Sequence, residues 1–137
     1  METDTLTAIN SAVDIVTARQ RGRTLALELG FNGADVTLIA AAISEVARNI
    51  VDHAKTGEIV MSNISGGTNG SGKTGIQIIA RDEGPGIRDV AQAMQYGYST
   101  RKGLGVGLPG AKWLMDEFDI SSEVGRGTTI TMKKWKR

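Results

Sequence analysis

Apolar residues recur at Val36, Ile39, Ala40, Ile43, Val46, Ala47, Ile50 and Ala54. That spacing follows the 3.6-residue period of an amphipathic helix over about five turns, with Asp35 as its cap and Gly57 closing it. Residues 14–29 predict an earlier helix, ended by Gly30 in the C′ position. Thr5 to Ile9 alternates threonine with apolar side chains, the period of a half-buried strand. Residues 58–64 and 75–81 are rich in Ile and Val and read as strands joined by a Gly/Ser/Thr/Asn loop. Further on come a short helix at 89–95, a helix at 111–118, and a hairpin of strands 120–124 and 128–134 across Gly125-Arg126-Gly127.

The resulting order is β-α-α-β-β-(α)-α-β-β. Its hairpins force antiparallel neighbours and exclude a doubly wound parallel sheet. The expected architecture is an α+β two-layer sandwich, a mixed β-sheet with its helices on one face, forming one domain over residues 1–137.

Composition narrows the chemistry. A chain of 137 residues with 40% apolar and 23% charged residues has room for one core. A net charge of +1 argues against a dedicated nucleic-acid binder, and the scarcity of aromatics against a base-stacking platform. With no cysteine there are no disulfides or thiolate metal sites, which fits a reducing compartment. No stretch approaches the roughly 18 apolar residues that span a bilayer, and the acidic, Thr-rich start does not read as a signal peptide. The expectation is a cytoplasmic protein without membrane or nucleic-acid partners.

Glycine is the outlier at 18 residues. It clusters at 66–75, 84–86, 97–110 and 125–127, where either loops or a phosphate cradle would need backbone freedom and close approach. Two of these clusters, with one helical segment, carry candidate chemistry. In Glu45-Val46-Ala47-Arg48-Asn49, positions four apart share a helix face, so Glu45 and Asn49 point the same way, and Asp52 shares that face. A solvated face would look like this too. A ligand site would instead use the Asn carbonyl for Mg²⁺ and the carboxylate as a general base. His53 lies close by, but a lone histidine without cysteine makes no zinc centre.

Asp82 stands at a strand end before Gly84-Pro85-Gly86. Pro85 fixes φ and the glycines admit a flat group, so the Asp82 carboxylate can accept a hydrogen bond from an exocyclic amine such as that of adenine. The bland alternative is an ordinary turn. Residues 98–110, Tyr-Ser-Thr-Arg-Lys-Gly-Leu-Gly-Val-Gly-Leu-Pro-Gly, then open a helix. Unpaired amides and the helix dipole favour phosphate there, and Arg101 and Lys102 add positive charge.

Two other patterns mislead. Gly105 to Gly110 matches G-x-G-x-x-G, but no strand immediately precedes it, as a dinucleotide fold requires. Gly67 to Thr74 matches G-x-x-x-x-G-K-[ST] at every required position, but a P-loop runs into a helix. Here the residues after Lys73 are β-rich and lead to the Asp82 turn.

In order and spacing, the three segments resemble the N, G1 and G2 boxes of the GHKL (Bergerat) ATPase/kinase superfamily. Residues 43–50, 82–87, 103–110 and 114–118 look most like its small, stand-alone serine kinases. These act as anti-sigma factors or as switch kinases of bacterial stressosomes. The resemblance implies phosphoryl transfer from ATP to a serine or threonine of a STAS-domain partner. It also implies release onto a downstream effector such as a PP2C-type phosphatase. Glu45 would take the hydroxyl proton, Asn49 would hold Mg²⁺, and Asp82 with Gly84 and Gly86 would hold adenine. Gly103, Gly105, Val106, Gly107 and Leu108 would bind the phosphates, with Arg101 favoured over Lys102 for the γ-phosphate because a guanidinium fork fits it better. Gly127-Thr128 resembles the late Gly-Thr motif, whose Thr hydroxyl supports the adenine-binding Asp. A non-catalytic regulator that binds its partner in an ATP-dependent way, and a P-loop NTPase built on Lys73, are the competing readings.

Overall fold

The computed structural model describes residues 4–66, 73–87, 94 and 107–136. Five strands form one sheet: β1 (Thr5–Ile9), β2 (Gly57–Ser65), β3 (Thr74–Asp82), β4 (Glu117–Glu123) and β5 (Gly127–Trp135), in the order β1-β2-β3-β5-β4. Helices α1 (Ala12–Glu28) and α2 (Gly33–Asn49) lie between β1 and β2, and α3 (Gly107–Leu114) precedes β4. The helix expected at 89–95 lies outside the described residues apart from Met94.

Every neighbouring strand pair is antiparallel, which corrects the mixed sheet expected from the sequence. The path of the chain is the reason. The α1–α2 pair is a hairpin of helices, so the chain enters β2 running opposite to β1. β3 and β4 run the same way, but β5 lies between them and pairs antiparallel with both.

The two-layer expectation holds. Ile9, Ile59, Met61, Ile76, Ile78, Ile130 and Met132 line one face of the sheet and are buried. They share a core with Ile15 and Ala18 of α1 and with Val36, Ile39, Ile43 and Val46 of α2. The opposite face sets Leu6, Val60, Ile79, Thr131 and Asp119 in one register row, all exposed or half-buried.

Helix ends depart from the sequence reading in instructive ways. α1 starts at Ala12 because Asp14 reaches back, its Oδ2 accepting the amides of Asn10 at 2.8 Å and Ser11 at 3.2 Å. It closes at Gly30 as expected, with Gly30 N–H donating to Leu27 O and Phe31 N–H to Ala26 O, the paired bonds of a helix C-terminus. Asn32, not Asp35, caps α2: its Oδ1 accepts the Asp35 amide at 2.8 Å, and Asp35 sits in the first turn, where its charge suits the dipole.

The expected uninterrupted helix to Ala54 divides at Asn49. Residues Ile50–Ala54 form a π turn, closed by Lys55 N–H donating to Ile50 O at 2.8 Å. Such wide turns recur at functional sites.

α3 corrects the helix expected at 111–118. It begins inside the glycine-rich segment, with Pro109 in a first turn that needs no amide donor. It stops at Leu114 because β5 captures the residues beyond it. Lys134 Nζ donates to Leu114 O at 2.8 Å, and Asp116 exchanges bonds with β5 through Lys133 O and the Trp135 amide. No described helix is long and apolar enough to cross a membrane.

Candidate functional site

α2 is buried on nearly every side, at Val36, Ile39, Ala40, Ala42, Ile43, Ser44, Val46 and Ala47. Glu45 does not escape this packing. Its side chain keeps only 12% of its exposure, which rules out the solvated-face reading. Taking a carboxylate out of water costs several kcal/mol unless partners replace the lost hydration. Glu45 has them: Oε1 accepts the Gly107 amide at 3.0 Å, and Oε2 pairs with Arg48 Nη1 at 3.5 Å. Asn49 is half-buried one turn later, where α2 passes into the π turn. Asp52 and His53, on that wider turn, are exposed. No group of three or more His, Cys, Asp or Glu among the described residues forms a metal cluster.

Asp82 ends β3 between Gly57 of β2 and Thr128 of β5. Its Oδ1 accepts the Gly84 amide at 2.9 Å and, over a longer 3.3 Å, the Thr128 amide. Asp82 is thus fixed by backbone donors from two elements. The resemblance implied support from the Thr128 hydroxyl, and the geometry differs. That hydroxyl lies 2.8 Å from Ser122 Oγ, while the Thr128 amide makes the link to Asp82.

Ser122 is the residue that sequence reasoning missed. Its Oγ accepts the Ile87 amide at 2.7 Å and lies 3.2 Å from Gly127 O. Together with the bond from Gly125 N–H to Pro85 O at 2.8 Å, it moors the Gly-Pro-Gly turn to the β4–β5 hairpin. Nothing distinguishes Ser122 from Ser121 beside it in the sequence; only the strand register separates them, turning Ser122 to Thr128. Gly86 and Gly127 are required by this seam. They adopt φ of +80° and +117°, and a Cβ on either would strike a carbonyl oxygen, of Glu123 and of Asp82 respectively.

The structure brings the three sequence boxes together. The Glu45–Gly107 bond joins the first to the third. The π turn joins the first to the second: a Cβ on Gly84 would lie 2.5 Å from Ala54 Cβ, so only glycine lets the Asp82 turn rest on the end of the α2 extension. Leu108 is buried in the core behind the α3 N-terminus. Arg101, Lys102, Gly103, Gly105 and Val106 lie outside the described residues. Of the P-loop match, Lys73 and Thr74 are described; β3 begins at Thr74, and no helix follows as that motif requires.

Residues 9–134 match the Histidine kinase-like ATPase domain. The chain belongs to this family. Among curated relatives of this histidine kinase-like ATPase, it is 51% identical over 124 residues to serine/threonine-protein kinase RsbT of Bacillus subtilis (strain 168), covering 90% of each chain. It is 33% identical over 104 residues to the anti-sigma F factor of Thermoanaerobacter sp. (strain X514), covering 74% of this chain and 71% of that one. The crystal structure of the RsbU and RsbW domains of Rv1364c from Mycobacterium tuberculosis superposes with a TM-score of 0.62 at 24% identity. That match covers 100% of this chain and 33% of the larger one, and it speaks to fold alone.

Proposed function

We propose that this chain is an ATP-dependent serine/threonine kinase acting on a STAS-domain protein in a bacterial stress-signalling partner switch. The observation that carries the chemistry is the Glu45 carboxylate, sequestered from water and aimed by the Gly107 amide and Arg48, one turn before Asn49. The 51% identity to a serine/threonine-protein kinase supports the same reading.

In the transfer, the acceptor hydroxyl oxygen bonds to the γ-phosphorus as the bridging P–O bond to the β-phosphate breaks and ADP leaves. Glu45 receives the hydroxyl proton. Phosphoryl transfer depends mostly on positioning and charge stabilisation, and the rest of the site serves those ends. Asp82 accepts the exocyclic amine of adenine, with Gly84 and Gly86 admitting the flat ring beside it. The Gly107 amide stands at the helix N-terminus on the phosphate side. As the family resemblance implies, Gly103, Gly105, Val106 and Leu108 would bind the phosphates and Arg101 would pair with the γ-phosphate. Mg²⁺ fits the donor chemistry present: the Asn49 carbonyl oxygen is a hard, neutral ligand, and a Mg²⁺ bound chiefly by phosphates and water needs few protein groups. When bound, the ion neutralises charge on the phosphates.

The same reading places the protein in the cytoplasm, holding a STAS-domain stressosome scaffold and, once released, a downstream effector such as a PP2C-type phosphatase. The likeness to an anti-sigma F factor supports a second reading, an ATP-dependent binding regulator without catalysis. Incubation with γ-labelled ATP and STAS-domain proteins of the same genome decides between them. Label on a serine or threonine supports the kinase. Nucleotide-dependent binding without label supports the regulator.

A further inference from the structure

Of the two tryptophans, Trp135 is buried at 9% exposure with its indole N–H on Glu117 Oε2, whereas Trp113 on α3 stands 85% exposed. An indole left in water forgoes the largest burial any side chain offers, and tryptophan is the residue most enriched among the anchors of protein interfaces. Trp113 is also presented rigidly. α3 is tied at its start by the Gly107 amide on Glu45 and at its end by Lys134 Nζ on Leu114 O. Lys134 is 5% exposed and Leu108 and Ala111 pack into the core. Pro109, Lys112 and Trp113 then fall together on the outward side of the helix. An anchor fixed in this way loses little entropy when a partner covers it.

We propose that Trp113 is the docking anchor for the protein that carries the acceptor hydroxyl. This rests on the kinase reading, and its basis is the position of α3. The acceptor must bring its hydroxyl to Glu45, which touches the first residue of the helix. Trp113 lies six residues on, about 9 Å along the axis. A standard interface buries about 800 Å² per partner, a disc of about 16 Å radius. An acceptor protein of ordinary footprint centred on Glu45 therefore extends over the outward side of α3. The matching surface carries its serine or threonine beside an apolar hollow for the indole, with a carboxylate at the rim for Lys112.

The test uses a purified STAS-domain stressosome protein from the same genome with the parent, Trp113→Ala and Trp113→Phe. Binding is followed by calorimetry in the presence of a non-hydrolysable Mg·ATP analogue and by indole emission. The parent is expected to bind with a blue shift that Trp113→Phe lacks. Trp113→Ala should weaken acceptor binding about tenfold or more, with Trp113→Phe intermediate. ATP affinity and the transfer rate at saturating acceptor should be unchanged. Parent-like acceptor binding by Trp113→Ala overturns the inference. So does a defect confined to self-association or to effector activation, or failure of the parent to bind any such protein. Because binding is read without turnover, a parent that binds through Trp113 but transfers no phosphate sinks the kinase reading and leaves the docking surface standing.

Discussion

Glu45 Oε1 accepts a hydrogen bond of 3.0 Å from the Gly107 amide, across 62 positions of sequence. One contact therefore ties the carboxylate proposed to take the proton to the helix N-terminus proposed to hold phosphate. The amide has no carbonyl partner within α3 and stands at the helix's positive end, where a carboxylate is electrostatically welcome. An arriving phosphate meets the same donor. The bond orients Glu45 and at the same time defines where the third box begins.

Two substitutions separate these roles. Glu45→Gln keeps an acceptor for Gly107 but removes the base, so serine transfer should fall by about 10²–10⁴-fold while amide exchange at Gly107 stays slow. Glu45→Ala should lose the same activity and also exchange faster at Gly107. Both should still bind ATP. Parent-like transfer by either variant at saturating Mg·ATP removes Glu45 from proton transfer.

Lys73 contributes its backbone to the hairpin, its carbonyl accepting the Gly66 amide at 3.0 Å, and β3 begins at the next residue. Lys73→Ala should leave ATP affinity and transfer unchanged by calorimetry and label incorporation. A tenfold loss of affinity would restore the P-loop reading, against the absence of its helix.

The helical period from Val36 to Ile50 and the β-rich runs were legible because burial imposes their spacing directly. The placement of Glu45, Asn49 and Asp82 was legible, since each stands at a structurally marked place, a helix face or a strand end; their roles belong to the proposed function. What escaped depends on contacts between distant segments. The π turn at Ile50–Ala54 leaves no trace in a pattern where Ile50 and Ala54 fit an α-helix equally well. The end of α3 at Leu114 is imposed by Lys134 and Asp116 bonds with β5, not by any local stop signal. The antiparallel sheet results from β5 inserting beside β3, a matter of topology.

Ser122 is expected to act from behind on the corner proposed to hold adenine. Ser122→Ala strips the Ile87 amide of its acceptor and Thr128 of its neighbour. A lost hydrogen bond of about 1 kcal/mol should weaken ATP about fivefold, with the transfer rate at saturating ATP unchanged. Ser122→Thr keeps the hydroxyl and should bind nearly as the parent does. ATP affinity insensitive to Ser122→Ala would detach the β4–β5 hairpin from nucleotide recognition.

Asp82 offers the sharpest test of nucleotide choice, because one atom exchange reverses its chemistry without disturbing its support. Asp82→Asn retains a carbonyl oxygen for the Gly84 and Thr128 amides, so the turn keeps its anchors and thermal stability should change little. The other oxygen becomes an NH₂. Toward adenine this sets donor against donor and removes a charge-assisted bond worth about 1.5–3 kcal/mol, so ATP affinity should fall by roughly 10–100-fold. Toward guanine the new NH₂ meets a carbonyl, so discrimination between ATP and GTP should narrow or invert. Calorimetry with both nucleotides on both proteins reads this out. Equal affinity of the parent for ATP and GTP, or parent-like ATP binding by Asp82→Asn, ends the assignment of Asp82 to adenine.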